Sequence, residues 1–250
     1  RTEQSHTMMI GSTGTGKTTQ MRALIAQMRV RRDRAVVFDL TGAYVEAFYN
    51  PQTDVILNPM DERCPSWSVF GEAKNHADFT GIAAALLPAD GGGAEPFWML
   101  AARTLFVETC IKLMKDGQAT NQALASRLMM ADLKEVHKML ENTVADPLTA
   151  PEAAKMAESI RAVFNTNAQA LRFLPEGKEP FSIQTWIRND DKPGSILFIT
   201  SSHNELVLNR ALLSLWMNLA VHTLMRLPRT RSLRTWFFFD EVHALHRLPA

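Results

Sequence analysis

The sequence predicts an α/β fold, in which a parallel sheet binds a nucleotide and an all-α domain is inserted in the sheet domain. Three observations support this fold class. A complete phosphate-binding loop lies near the start of the chain, and short apolar runs alternate with helical segments towards both ends. The middle of the chain, by contrast, has helical periodicity alone.

The composition is that of a globular protein with little excess charge. Hydrophobic residues make up 46% of the 250 residues, and 27 Lys and Arg residues against 26 Asp and Glu residues leave a net charge of +1. A protein that simply coats nucleic acid is usually more basic, so we expect any DNA contact to come from local patches or from a multi-subunit ring. Cys64 and Cys110 lack metal-ligand spacing, which indicates a reducing compartment. The sequence contains no run of about 18 apolar residues, so it predicts no membrane span.

In the first part of the chain, strand patterns alternate with helix patterns. We expect a strand at residues 7–10, a helix from Lys17, a strand at AVVFDL, a short helix and a strand at DVILN. Such strand–helix–strand units place their strands side by side in a parallel sheet.

The middle of the chain is predicted to be helical throughout. Segments such as FWMLAARTLFVETCIKLM and LKEVHKMLENTV have the helical period, and PADGGGAEP and DPLTAP separate them. Strands return at SILFITSS and TWFFFDE, on either side of a long helix at residues 205–225. We therefore predict a nucleotide-binding domain in two parts, residues 1–77 and 176–250, around an all-α domain of residues 78–175.

The phosphate-binding loop is GSTGTGKT at residues 11–18, which fits G-x-x-x-x-G-K-[ST] at every fixed position. Its glycines allow a tight turn that points backbone N–H groups at phosphate oxygens. Lys17 is expected to neutralise the β and γ phosphates, and Thr18 to supply a hydroxyl ligand to Mg²⁺. The predicted nucleotide-binding residues are Gly11, Ser12, Thr13, Gly14, Thr15, Gly16, Lys17, Thr18 and Thr19.

The second nucleotide motif is TWFFFDE, which predicts a buried strand that delivers two carboxylates to the ligand edge of the sheet. We expect Asp240 to hold Mg²⁺ through a water, and Glu241 to orient and deprotonate the attacking water. Glu241 and Lys17 are thus the predicted catalytic residues. An acidic helix cap after a strand is the alternative. Two adjacent acids favour a hydrolase over a kinase.

ATP is favoured over GTP as the nucleotide. Asp39-Leu-Thr-Gly42 has the D-x-x-G form of GTPases, but a base-reading N-K-x-D is missing. Asn58-Pro-Met-Asp61 has proline where lysine is needed.

Two further groups of residues have alternative interpretations. Ser201, Ser202 and His203 follow the strand ILFIT and are candidates for a γ-phosphate sensor. Eight arginines follow helices and precede strands, where they either stabilise helix C-termini or form, around a ring, a positive collar for DNA or neighbouring subunits. They are Arg29, Arg31, Arg32, Arg34, Arg226, Arg229, Arg231 and Arg234.

Several segments together resemble the coupling proteins of conjugative type IV secretion, the TraD group in particular. In chain order they are GSTGTGKTT, VVFDLTGAYVEAFY, ILNPMDERCPSWSVF, EPFW with RTLF, SIRAV, FSIQTWI and WFFFDEVHALHRLP. The LNPMDERCPSW stretch is the most specific of them. The segments cover nearly the whole chain.

The resemblance implies a RecA-like P-loop NTPase motor whose all-α domain faces the DNA-processing complex. Proteins of this group are anchored in the inner membrane, form homo-hexameric rings and use ATP to deliver relaxase-bound DNA, the single-stranded transfer strand, to the secretion channel. The implied partners are therefore DNA, relaxosome proteins including the relaxase, and the type IV secretion channel, at the cytoplasmic face of the inner membrane. Relative to such proteins, this sequence lacks the membrane anchor and the part beyond Ala250, so we expect a soluble fragment.

Two alternatives stay open at this point. A related RecA-like DNA motor could serve segregation or packaging, although LNPMDERCPSW and the helical insertion favour a coupling protein. A non-hydrolysing docking scaffold could use ATP only to order its fold, although such a scaffold would not need Glu241.

Overall fold

A parallel sheet with helices on both faces is the centre of the fold. The computed structural model describes residues 6–12, 14–88, 96–189, 191–228 and 234–246. Within these ranges the strands are β1 (Arg34–Asp39), β2 (Val55–Leu57), β3 (Ser66–Trp67), β4 (Pro180–Phe181), β5 (Ile196–Thr200) and β6 (Thr235–Phe239). Four of them form the main sheet in the order β2-β5-β1-β6, and every pairing is parallel. These four are the strands predicted at AVVFDL, DVILN, SILFITSS and TWFFFDE.

The strand register brings the carboxyl ends of β1, β5 and β6 to one edge of the sheet. Asp39 at the end of β1 pairs with Thr200 at the end of β5. On the other side of β1, Phe38 pairs with Phe239, the last residue of β6. Residues that directly follow these strands are therefore neighbours in space, as parallel pairing requires.

The helices account for most of the rest of the described chain. They are α1 (Lys17–Val30), α2 (Ala43–Phe48), α3 (Val69–Glu72), α4 (His76–Leu86), α5 (Pro96–Lys115), α6 (Asn121–Ala125), α7 (Leu133–Leu140), α8 (Asp146–Thr149), α9 (Ala154–Asn167), α10 (Ile183–Arg188) and α11 (Leu206–Arg226). Short 3₁₀ segments lie at Pro151–Ala153, Gln169–Phe173 and Val242–Ala244, and a π-helical turn at Ser126–Met130. Between residues 76 and 173, the described part of the chain contains helices and no strand.

The central strands β1 and β5 are buried on both faces and alternate between two apolar clusters, whereas β6, which was predicted to be buried, is mostly half-buried. In β1, Val37 faces a smaller cluster with Ile25 and Met28 of α1, whereas Phe38 faces a larger cluster. The larger cluster includes α11, whose Trp216 lies edge-on to Trp67 at 5.6 Å between ring centroids, and it continues into helices α4 to α9. Burial on both faces explains why β1 and β5 are continuous apolar runs.

The chain enters and leaves the helical region through one small pair of strands, β3 and β4, which we call the neck. Strand β3 precedes the long helical stretch and β4 follows it, and the two pair in parallel, Ser66 with Pro180 and Trp67 with Phe181. Beside this pair, the buried carboxylate of Glu72 accepts hydrogen bonds from Trp67 Nε1 (2.9 Å) and from the backbone N–H of Ile183 (2.6 Å). The segments by which the chain enters and leaves the helical region are therefore bonded to each other.

The strand predicted at residues 7–10 is not present in the structure. Met8 and Ile10 are 81% and 86% exposed, and these residues take no part in the sheet. A strand needs a partner for its backbone N–H and C=O groups. In the described ranges, the sheet ends at β6 with no strand paired to its outer side. The strand prediction for residues 7–10 was therefore wrong, because it rested on an apolar run alone.

Among the described arginines of this group, Arg29 and Arg34 have structural roles. Arg29 forms an ion pair with the buried Asp54 at 2.5 Å and donates to the carbonyl of Phe48. The buried Arg34 lies over the ring of Trp186 and donates to the backbone carbonyls of Trp186 and Asn189. Arg229 and Arg231 lie outside the described residues.

Among the helices of the described ranges, none combines the length and the hydropathy that a bilayer crossing requires.

Candidate nucleotide-binding site

The phosphate-binding loop leads directly into the N-terminus of α1. Gly14 and Gly16 have φ angles of 84° and 87°, in the left-handed region that glycine adopts without strain. The helix begins at Lys17, so its first backbone N–H groups point towards the loop and favour an anion there. The structure thus keeps the loop-to-helix part of the predicted phosphate site, while Thr13 lies outside the described residues.

The ammonium group of Lys17 lies over the loop. Its Nζ donates hydrogen bonds to the backbone carbonyls of Gly11 at 2.7 Å and Ser12 at 2.8 Å. The carbonyl of Ser12 also accepts from the Thr15 hydroxyl at 2.8 Å. Lys17 is therefore held at the mouth of the loop, where it would meet a bound phosphate.

Asp240 lies at the ligand edge of the sheet, directly after β6. Its backbone N–H donates to the carbonyl of Phe38 at 3.3 Å, so it is aligned with the end of β1. Its Oδ2 accepts a hydrogen bond from the Tyr44 hydroxyl at 3.0 Å. The Thr18 side chain is a further neighbour of this hydroxyl. The Tyr44 hydroxyl therefore lies close to both the start of α1 and the end of β6.

Thr18 and Asp240 are a donor set that fits Mg²⁺ bound together with a nucleotide. Magnesium prefers oxygen ligands and is held in nucleotide sites by one or two protein groups plus phosphate oxygens and water. Within the described ranges, no group of three or more His, Cys, Asp and Glu side chains could hold a metal ion by itself. Phosphate oxygens would therefore have to complete the coordination.

Glu241 has an unusual backbone conformation. Its φ of 55° and ψ of 47° are left-handed, which is uncommon for a residue with a side chain and is often found at functional sites. The side chain is 47% exposed, and its Oε2 lies 3.2 Å from Nδ1 of the exposed His243. The turn after β6 therefore directs Asp240 inwards and leaves the Glu241 carboxylate accessible.

Asp39, the acid of the D-x-x-G sequence, has a local structural role. Its buried carboxylate accepts from the backbone N–H groups of Thr41 (3.1 Å), Tyr44 (2.9 Å) and Val45 (3.1 Å), and from the Thr41 hydroxyl (3.1 Å). It thereby fixes the start of α2.

Ser201, Ser202 and His203 line a cleft of about 900 Å³ beyond the ends of β1 and β5, together with Thr41 and Gly42. The Ser201 hydroxyl accepts from Asn209 Nδ2 at 3.0 Å and donates to the Ser202 carbonyl at 3.2 Å. A γ-phosphate sensor role for these residues stays a prediction.

Tyr44 is the site residue that sequence reasoning missed. Motif reasoning selects residues with known roles in phosphate binding, and a tyrosine in the helix after β1 has no such role. The signal that could have found it is its place in the sequence, in the first turn of the helix that follows Asp39. That place puts it close to the ligand edge of the sheet.

The chain is similar to conjugative coupling proteins in sequence. The family model for the type IV secretion-system coupling protein DNA-binding domain matches residues 1–250. Coupling protein TraD of Escherichia coli (strain K12) is 33% identical over 244 residues, which are 96% of this chain and 34% of TraD. The chain therefore spans about a third of the length of that relative.

Solved structures of the plasmid coupling protein TrwB have the same fold. The complex with the non-hydrolysable ATP analogue ADPNP has a TM-score of 0.83 and 32% identity, over 95% of this chain and 57% of that chain. The complex with ADP and Mg²⁺ has a TM-score of 0.84 and 32% identity, over 95% of this chain and 56% of that chain. The predicted fold class, a RecA-like P-loop NTPase sheet with an all-α domain, is confirmed.

Proposed function

The chain belongs to the type IV secretion-system coupling protein DNA-binding domain family, and from this premise we propose that it is part of an ATP-hydrolysing coupling protein. It recruits relaxosome-bound DNA and drives the transfer of that DNA into a type IV secretion channel during conjugation. The observation that best supports a nucleotide motor is the hydrogen bond between Asp240, at the end of β6, and the Tyr44 hydroxyl, which has Thr18 of the phosphate loop as a further neighbour.

In this proposal, the loop and the start of α1 bind the phosphates of ATP. Backbone N–H groups of the described loop residues and of the start of α1 bind the β and γ phosphates, and Lys17 neutralises their charge. Thr18 and Asp240 would hold Mg²⁺. The TrwB structures with ADPNP and with ADP and Mg²⁺ support this choice of nucleotide and metal.

Hydrolysis then depends on Glu241. Its accessible carboxylate orients a water molecule and takes a proton from it as the water attacks the γ phosphate. Bound Mg²⁺ would supply charge neutralisation for the phosphates. Lys17 stabilises the negative charge that develops on the γ phosphate oxygens.

The assembly and partners of the whole protein follow from the same premise. The family description as a DNA-binding domain and the similarity to TraD support DNA as a partner. We propose the single-stranded transfer strand, the relaxase with other relaxosome proteins, and the secretion channel as partners, and a homo-hexamer at the cytoplasmic face of the inner membrane. In this arrangement, residues 78–175 form the all-α domain, and residues 1–77 and 176–250 form the motor.

Two substitutions separate nucleotide binding from hydrolysis. Lys17→Ala removes the phosphate-facing ammonium, so we expect it to lose binding of a fluorescent ATP analogue. Glu241→Gln keeps the size of the side chain but removes the base, so we expect normal binding and a loss of turnover of at least about 100-fold. Phosphate release should be measured in the polypeptide encoded by the complete gene, with Mg²⁺ present.

Matched controls lie on the exposed side of α9. Lys155→Ala and Glu158→Gln make the same chemical changes away from the loop, and we expect both to behave as the wild type. Turnover that survives in Glu241→Gln would contradict the assigned base. Binding without any turnover in the wild type would favour the docking scaffold.

A further inference from the structure

The Tyr44 hydroxyl is a direct link between the two nucleotide motifs. It donates to Asp240 Oδ2 at 3.0 Å, and the Thr18 side chain is a further neighbour of it. A phenolic hydroxyl can donate one hydrogen bond and accept others. While it donates to the Asp240 carboxylate, it can still accept a hydrogen bond from a neighbouring hydroxyl.

The position of this hydroxyl is fixed from both ends of the tyrosine. The ring is fully buried in the smaller apolar cluster, with Ile25 and Met28 of α1. The backbone N–H of Tyr44 donates to Asp39 at 2.9 Å, which anchors the residue to the end of β1. A side chain held by packing and by a backbone anchor loses little further freedom when it positions a neighbour.

The hydroxyl also remains a hydrogen-bond donor at working pH. The ordinary pKa of a tyrosine is about 10, so the hydroxyl keeps its proton at neutral pH. The proton needed for the bond to Asp240 is therefore retained.

We propose that Tyr44 is a positioning residue for Mg²⁺, which holds the Asp240 carboxylate in place near Thr18. This inference rests on the proposed function, because it assumes that Thr18 and Asp240 bind Mg²⁺ with ATP. Tyr44 does not touch the nucleotide in this role; it orients one oxygen of Asp240 and couples the end of β6 to the start of α1. Partners of metal-binding groups that act in this way commonly change metal affinity by about 10- to 100-fold when they are removed.

The test is a Mg²⁺ titration of nucleotide binding. Tyr44→Phe removes the hydroxyl and keeps the buried ring. With a fluorescent non-hydrolysable ATP analogue, we expect the half-saturating Mg²⁺ concentration to rise about tenfold in Tyr44→Phe. Nucleotide affinity at saturating Mg²⁺ should change little. Tyr49→Phe is the matched control, because the chain has only two tyrosines and Tyr49 packs against Phe198 away from this contact.

A double-mutant cycle with Asp240→Asn separates positioning from a general effect on folding. If Tyr44 acts through Asp240, the double variant should have no higher Mg²⁺ requirement than Asp240→Asn alone. Thermal melting without metal or nucleotide measures the structural contribution of the hydroxyl independently. A lower melting temperature with an unchanged Mg²⁺ requirement would overturn the proposal.

A second measurement needs no substitution at Tyr44. In wild-type protein with ¹³Cζ-labelled tyrosine, Tyr49→Phe assigns the two resonances. Addition of Mg²⁺ to the nucleotide-saturated protein should shift the Tyr44 resonance, because Thr18 and Asp240 change partners around it. A resonance that Mg²⁺ leaves unchanged would overturn the inference. If the wild type shows no Mg²⁺-dependent nucleotide binding, the proposed function fails and this inference fails with it.

Discussion

Two glutamates, Glu241 and Glu72, have contrasting environments. Glu241 is half exposed on a left-handed backbone, a conformation that costs on the order of 1 kcal/mol and that surrounding structure must maintain. Glu72 is buried, and its carboxylate accepts four hydrogen bonds, from Trp67 Nε1, the Ser182 hydroxyl and the backbone N–H groups of Ile183 and Gln184. The exposure of Glu241 suits a group that contacts substrate, whereas the buried hydrogen bonds of Glu72 hold the segments of the neck together.

The burial of Glu72 predicts a pH dependence of stability. Burial raises the pKa of Glu72 above its ordinary value of 4.5, against the opposing effect of its hydrogen bonds. Since the folded pKa is the higher one, the stability from protonation is complete below about pH 4.5 and is lost as the pH rises through the folded pKa. Glu72→Gln cannot ionise. We therefore expect the free energy of unfolding of Glu72→Gln to rise relative to that of the wild type between about pH 4 and about pH 7.

Urea denaturation at steps across this pH range measures the difference. Glu158→Gln, on the exposed side of α9, is the control and should show no such trend. A difference between Glu72→Gln and wild type that stays constant with pH would contradict the prediction.

At the scale of single residues, sequence patterns located the residues of the nucleotide motifs but not the residues that orient them. The position of Asp240 was predictable because parallel strands deliver the residues that follow them to one edge. Lys17 and Thr18 were placed by the loop-to-helix pattern of their motif. Tyr44 and Glu72 act through contacts with residues more than 100 positions away in the chain, Asp240 and Ile183. No local pattern encodes such contacts.

At the scale of elements, α6 is attached to the neck by one buried side chain. Asn121 donates from Nδ2 to the carbonyl of Trp67 at 2.8 Å, and its Oδ1 accepts from the backbone N–H of Val69 at 3.1 Å. The Val69 N–H is at the start of α3, where a helix has no internal acceptor for it. Asn121 thus satisfies polar groups of β3 and α3 from within the helical region.

We expect Asn121→Ala to lower the free energy of unfolding by about 2–4 kcal/mol, because it leaves a buried N–H and a buried carbonyl without their partner. Chemical denaturation followed by circular dichroism measures this loss. The neighbouring Gln122 is exposed, so Gln122→Ala should stay within about 0.5 kcal/mol of the wild type. Equal losses in the two variants would contradict the account of the neck.

The elements that sequence patterns predicted are those that bury a continuous apolar surface. The strands β1, β5 and β6 and the helices α1, α5 and α11 lie where periodicity indicated them. The two-residue strands β3 and β4 were missed, because they exist only through pairing between segments more than 100 residues apart. The strand predicted at residues 7–10 is absent for the related reason that an apolar run becomes a strand only when it is paired.

At the scale of the whole molecule, one apolar cluster extends from the sheet through α11 into helices α4 to α9. The sheet and the helical region are therefore parts of one packed structure, whereas α1, which begins with Lys17 and Thr18, packs into the smaller cluster. Under the proposed function, the larger cluster joins the helical region to the sheet whose edge binds ATP.

The central claim is that ATP turnover serves DNA transfer, and DNA-stimulated turnover tests it most directly. Phosphate release by the polypeptide encoded by the complete gene should be measured with and without single-stranded DNA, beside Glu241→Gln. We expect DNA to raise the turnover rate of the wild type, added salt to weaken this stimulation, and Glu241→Gln to remain inactive throughout. Turnover that is the same with and without DNA, or that survives in Glu241→Gln, would contradict the claim.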